Sequence, residues 1–267
     1  PSSSPITKIV SRAGNPDLQQ VFPPRPDDLP GLPRGGRPQP VLEPLASADA
    51  VVTDAEKDLG VALLDIGGGT TDIAIYARGS LVHTAVVAMG GNHITNDIAV
   101  GLRTAIQDAE RIKIASGCAM RSLMPSDPLI EVPSVGGRKS REVSRSVLTK
   151  IVEPRVEEIF SLAGREISNS GFKHLLSTGV VITGGASLLE GMAEIGEFIL
   201  EMPVRRGGPQ GVGGLIDVVS SPIYSTSVGL LLFGMRERTD IGFLPAADAG
   251  VYSKVMVRVR DWLGEVF

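Results

Sequence analysis

From Val61 to Tyr76 the chain alternates with a period of two, rich in β-branched residues, on either side of Gly67-Gly68-Gly69. That pattern predicts strands over 60–66 and 71–77 with the glycines at a hairpin tip, and a third strand over 81–88 completing a meander. Ahead of it, "VLEPLASADAVVTD" reads as a short helix with Pro44 in its opening. After it the period lengthens. "GGNHITNDIAVGLRT" predicts a turn and then a helix capped by Thr95 or Asn96, with Ile94, Ile98 and Leu102 on one face. A helix over 105–116 follows, then a β-hairpin turning at Gly136-Gly137, then a helical stretch over 144–170 that Pro154 restarts or kinks. Residues 179–183 read as a buried strand and Gly184-Gly185 as a tight turn, with Ser187 capping a helix through Ile195. "SPIYSTSVGLLLFGM" is the last core helix.

Both ends depart from this rhythm. Residues 1–40 hold ten of the nineteen prolines, a composition that predicts a disordered or polyproline-like leader. Residues 237–250 read as a linker. In 251–267, Val251, Val255, Val259, Trp262 and Val266 recur at helical spacing, and Tyr252, Met256, Leu263 and Phe267 extend their face. Lys254, Arg258, Arg260, Asp261 and Glu265 take the other side, and Val257 alone breaks the pattern. Amphipathicity of this kind suits a membrane interface and a helix packed on its own core equally well.

Composition narrows the field. At 267 residues and 42% hydrophobic, the chain can bury a core in one large domain or two. A formal net charge of -4 argues against nucleic acid as a main partner. A single cysteine, Cys118, excludes an internal disulfide framework, and with only three histidines a zinc site is not expected.

The candidate chemistry lies in "DIGGGTTD". A P-loop or dinucleotide fingerprint runs strand, glycines, helix; here strands are expected on both sides. Gly67, Gly68 and Gly69 can present backbone N–H groups to an anion, and Thr70 and Thr71 add hydroxyl donors. Asp65 and Asp72 would oppose bare phosphate, so Mg²⁺ held partly through water is the natural third party. The Gly184-Gly185 turn likewise offers bare backbone to a flat ligand group or an anion, and Glu110 and Lys113 lie three apart on one helix face.

These motifs occur in an order that resembles the actin-like ATPases. "DIGGGTTDIAIY" looks like their second phosphate hairpin and "VVITGGASLLEGM" like their adenosine motif. Within that superfamily the chain resembles the FtsA family of bacterial cell-division proteins, through "LEPLASADAV", "LGVALLDIGGGTTDIAIY", "TNDIAVGLRTAIQDAERIK", "IVEPRVEEIF", "TGGASLLEGM" and "YSTSVGLLLFG", almost continuously over 41–267. The resemblance implies an α/β fold: an actin-like (ribonuclease H-like) lobe with a smaller inserted α+β subdomain. Residues 59–104 and 175–236 would form the large part, 105–174 the insertion, and 41–58 a remnant helix of the first lobe. No D-x-G-[TS] hairpin precedes residue 59, so the N-terminal lobe is expected to be largely missing.

The resemblance also implies ligands and partners. ATP and Mg²⁺ would be bound, with Asp65, Gly67, Gly68, Gly69, Thr70 and Thr71 around the phosphates and the metal's water shell. Glu110 and Lys113 would reach ribose and adenine, and Gly184, Gly185, Ala186 and Leu188 would line the adenosine pocket. Asp65 would orient water for any hydrolysis, although turnover is not expected of one lobe alone. The 105–174 subdomain would bind the C-terminal peptide of the tubulin-like FtsZ, with Arg145, Arg155, Glu158 and Arg165 as candidate contacts. The tail would lie on an anionic membrane through Lys254, Val255, Arg258, Val259, Trp262, Leu263, Val266 and Phe267. The implied role is a filament-forming adaptor, self-associating and meeting other divisome proteins, at the cytoplasmic face of the inner membrane at the septum. The alternative is another actin-like ATPase, cytoskeletal, pilus-assembling or sugar-kinase-like.

Overall fold

The computed structural model describes residues 41–134, 136, 139–211 and 219–240, with backbone alone for 237–240. The 1–40 leader and the 251–267 tail therefore lie outside the described residues. In chain order the elements are α1 (Glu43–Val51), α2 (Asp54–Leu59), β1 (Val61–Ile66), β2 (Thr71–Ala77) and β3 (Ser80–Val87). Next come α3 (Gly91–Leu102), α4 (Ile106–Ser116), β4 (Leu129–Val132), β5 (Arg141–Ser144) and α5 (Arg145–Asn169). The chain continues with β6 (Val180–Thr183), a 3₁₀ turn Gly185–Leu188, α6 (Met192–Leu200), β7 (Val204–Arg206) and α7 (Ser225–Asp240).

The expected meander forms. β1 pairs antiparallel with β2, placing Asp65 opposite Asp72, and β2 pairs antiparallel with β3. On the other side of β1, β6 and then β7 join in parallel, giving the order β3-β2-β1-β6-β7. Every residue of β1 and β2 is buried, because helices cover both sheet faces. Leu64, Ile66, Ile73, Ile75 and Ile182 pack under α3, α5 and α6. Val61, Leu63, Ala74, Tyr76 and Val181 pack under α1 and α7 through Ala48, Val51 and Val228. Each fully buried Leu or Ile contributes about 1.5–3 kcal/mol.

The segment over 105–174 shares the first of these cores: Leu148, Val152, Val156, Ile159 and Phe160 of α5 lie in one cluster with the sheet residues. Phe160 rests on α6 where Gly196 leaves room; a Cβ there would stand 2.9 Å from the ring. On the opposite face α1 and α7 cross backbone to backbone, since a Cβ at Gly229 would fall 1.7 Å from Ala46 O.

Four local expectations are corrected. α3 begins four residues ahead of Thr95, with Gly90 as its N-cap, so neither Thr95 nor Asn96 caps it; the buried Thr95 hydroxyl lies inside the helix, 3.1 Å from Gly91 O. Ser187 does not cap α6 either. It sits inside the 3₁₀ turn and donates to Gly184 O at 2.7 Å, and α6 starts after Gly191. α7 continues through Asp240, into the first residues of the 237–250 stretch read as linker. α5 runs unbroken through Pro154 for 25 residues.

Candidate functional site

The glycine hairpin is held by its carbonyl side. Gly91 and Asn92, in the first turn of α3, donate backbone N–H groups to Gly67 O at 2.9 Å and Gly68 O at 2.8 Å, and Gly67 N–H closes the tip on Thr70 O. The N–H groups of Gly68 and Gly69 find no acceptor among the described residues. Those free donors are what an anion nest requires. The docking demands glycine at 90, where a Cβ would stand 2.6 Å from Gly67 O and 2.9 Å from both Gly68 O and Thr70 O.

Beside the hairpin lies a cavity of about 340 Å³, lined by Gly67 and Gly68, by Asn92 and Ile94 of α3, by Glu110, Lys113 and Ile114 of α4, and by Gly185, Ala186 and Leu188. Gly91, Gly117, Leu189, Glu190 and Ile223 complete it. Three motifs far apart in sequence thus share one enclosure. Glu110 and Lys113 are more than a surface pair: their ion pair is 2.7 Å, and the Lys113 ammonium also reaches Thr95 Oγ1 at 2.8 Å and Gly91 O at 3.1 Å. Burial alone would raise the Glu110 carboxyl, but Lys113 and the donating Thr95 hydroxyl hold it below the usual carboxylate range.

Asp65 is placed differently from the phosphate-facing expectation. It does not line the cavity; its carboxylate is buried and accepts from Ser47 on α1 at 2.5 Å and Thr226 on α7 at 3.3 Å. Burial raises its pKa, and those two hydroxyls only partly offset the shift. Thr71 is also corrected as a phosphate donor: fully buried, its hydroxyl donates to Met89 O at 2.8 Å. The Thr70 hydroxyl turns to Asp72 at 3.1 Å. Gly69 is exposed at the tip. Gly184 lies behind the cavity wall, at φ +84° with no room for a Cβ beside Asp65 Oδ1 and Ile66 O.

The family model of the cell division protein FtsA matches residues 62–229. The chain belongs to the FtsA family. It is 48% identical over 229 residues to FtsA of Pseudomonas aeruginosa, covering 84% of this chain and 55% of that relative. With FtsA of Neisseria meningitidis serogroup B the identity is 44% over 236 residues, 86% of this chain and 56% of the relative. The chain therefore spans about half the length of the curated FtsA relatives it matches. Among solved structures, MreB5 of Spiroplasma citri bound to ADP aligns with a TM-score of 0.59 at 19% identity, over 75% of this chain and 61% of that one. A PilM–PilN type IV pilus biogenesis complex aligns with a TM-score of 0.54 at 18% identity, over 72% and 52%. The fold is that of an actin-like lobe.

Two of the basic residues considered for FtsA partner contacts serve internal ties. Arg145 is largely buried and engages Ser116 O, Gly117 O and Glu190. Arg155 makes a two-point bond to Asp97 of α3, at 2.6 and 3.1 Å, and also pairs with Glu158. Arg165 is exposed and has no ion pair among the described residues. The cavity also uses residues that the motif reading passed over, chiefly Gly91, Asn92 and Glu190. The Gly90-Gly91-Asn92 run after β3 was a legible signal for the first two.

Proposed function

We propose that this chain is the nucleotide-holding lobe of a division adaptor that ties FtsZ filaments to the cytoplasmic face of the inner membrane at the septum and forms protofilaments under ATP control. The observation that carries the reading is the shared cavity. The free Gly68 amide suits phosphate, Glu110 and Lys113 suit ribose, and the Gly185–Leu188 turn with Ile114 and Ile223 suits a flat base. Solved neighbours of the same fold were crystallised with ADP or AMPPNP. Among the described residues no three metal-ligating side chains cluster, and Asp65 and Asp72 stand outside the cavity lining, so Mg²⁺ would rest chiefly on phosphate and water.

Isothermal calorimetry with Mg-ATP and Mg-ADP tests this. A polypeptide of these 267 residues alone brings no D-x-G-T hairpin to face the Gly67–Gly69 tip. Several charge-assisted bonds are then absent at roughly 1.5–3 kcal/mol each, which weakens binding by orders of magnitude. The expected result is weak nucleotide binding without hydrolysis. A micromolar or tighter Kd would overturn the half-site reading. Unchanged amide protection of residues 66–72 at saturating ADP would overturn nucleotide binding itself.

The adaptor half of the proposal assigns FtsZ-peptide binding to the 105–174 segment as a smaller subdomain, with exposed Arg165 and Glu158 as contacts. Titration with that peptide should show binding that Arg165→Glu weakens. No interaction with the folded chain would remove the tethering role.

A further inference from the structure

One guanidinium touches both walls of the cavity. Arg145 is the first residue of α5, where its charge faces the positive end of that helix's dipole and is stabilised only by partners elsewhere. It finds them at the far end of α4: Nε donates to Ser116 O at 2.8 Å and Nη2 points to Gly117 O at 3.4 Å. The same Nη2 pairs with Glu190, just after the Gly185–Leu188 turn. Gly117 and Glu190 both line the cavity. The Arg145 side chain is 17% exposed and its carbonyl contacts are part-buried, while Glu190 stands at the rim, 51% exposed.

The backbone closes the same seam. Ala119 N–H donates to Glu190 O at 2.7 Å, and Cys118 and Glu190 form an isolated parallel bridge. Gly117 has no slack, since a Cβ there would meet Lys113 O at 2.4 Å and Leu189 Cδ1 at 2.6 Å. α4 carries Glu110 and Lys113, so the place where its last turn is pinned decides where those two groups stand.

We infer that Arg145 is a positioning residue for the ligand cavity: through Ser116, Gly117 and Glu190 it holds α4 and the Gly185–Leu188 turn at the spacing a nucleoside requires. The inference rests on the nucleotide reading of the cavity for its ligand, but not for the brace itself. The arrangement needs a planar fork with several donors; a lysine ammonium keeps the charge but cannot reach two carbonyls and a carboxylate in those directions.

Hydrogen exchange on the full chain, compared among wild type, Arg145→Lys, Arg145→Ala, Glu190→Gln and the exposed Lys150→Ala on the same helix, is the test. Amides in 113–120 and 188–192 should exchange together at least tenfold faster in both Arg145 variants. Those of 148–160 should hold, and Lys150→Ala should match wild type. Glu190→Gln keeps an acceptor and should fall between. A fluorescent ADP analogue should bind at least tenfold more weakly to both Arg145 variants. Unchanged exchange, a rise spread evenly over the chain, or full retention by Arg145→Lys overturns the brace. If wild type binds no ADP while the two segments still loosen together, the brace stands and the nucleotide reading falls.

Discussion

At position 184 backbone and packing both require glycine. Its φ of +84° belongs to a region that side chains rarely enter, and a Cβ would stand 2.4 Å from Asp65 Oδ1 and 2.6 Å from Ile66 O. Gly184→Ala should cost about 3 kcal/mol, read as a lower urea midpoint with an unchanged slope. Asp65 itself gives a pH signature. Burial raises its folded pKa above the unfolded value near 3.9, so the wild-type fold gains stability as pH falls through the raised value. Asp65→Asn should therefore show its most favourable stability difference from wild type at neutral pH, shrinking toward pH 4 in urea titrations. Glu56 runs the other way. Its hydrogen bonds from Arg205 outweigh burial and lower its pKa from 4.5 to about 2. The stability it contributes is present above 4.5 and lost as pH falls toward 2, so the cost of Glu56→Gln should vanish across that window.

Among the elements, the α3–α5 contact shows how a charged residue can be misread from sequence. On α5, Arg155 has the spacing of a solvated face, yet its fork closes on Asp97, distant in sequence. Arg155→Ala should cost about 1–3 kcal/mol, and a double-mutant cycle with Asp97→Asn should return most of it as coupling. Weaker FtsZ-peptide binding in that variant would then report a shifted helix as readily as a lost contact. The strands were legible because short apolar runs bounded by glycine turns mark a strand even where both faces are covered and alternation fades. The starts of α3 and α6 were not, because Gly90 and Gly191 serve as N-caps where hydroxyl side chains were expected. The cavity's motifs could be read singly; Arg145 with Glu190 could not, since no local pattern links positions 45 apart.

For the whole molecule, the untested reach is the tail. Among the described residues no helix is long and apolar enough to cross a membrane; attachment through 251–267, outside them, is a proposal that rests on the amphipathic pattern of that segment. Intact protein should co-sediment with anionic vesicles, Trp262→Glu should bind more weakly, and salt should weaken both by screening the basic side chains. Equal sedimentation of intact and tail-deleted protein would refute the anchor.

The backbone crossing of α1 and α7 also constrains how the protein is made. Ser47 and Thr226, bonded across it, are 179 residues apart in sequence. On a ribosome adding about 5–20 residues per second, α1 and the outer sheet face wait roughly 10–40 s for the helix that covers them. Until then Val61, Leu63 and Tyr76 present an uncovered apolar surface to solvent. Refolding from urea should accordingly be slow, and nascent chains stalled before position 225 should be strong chaperone clients.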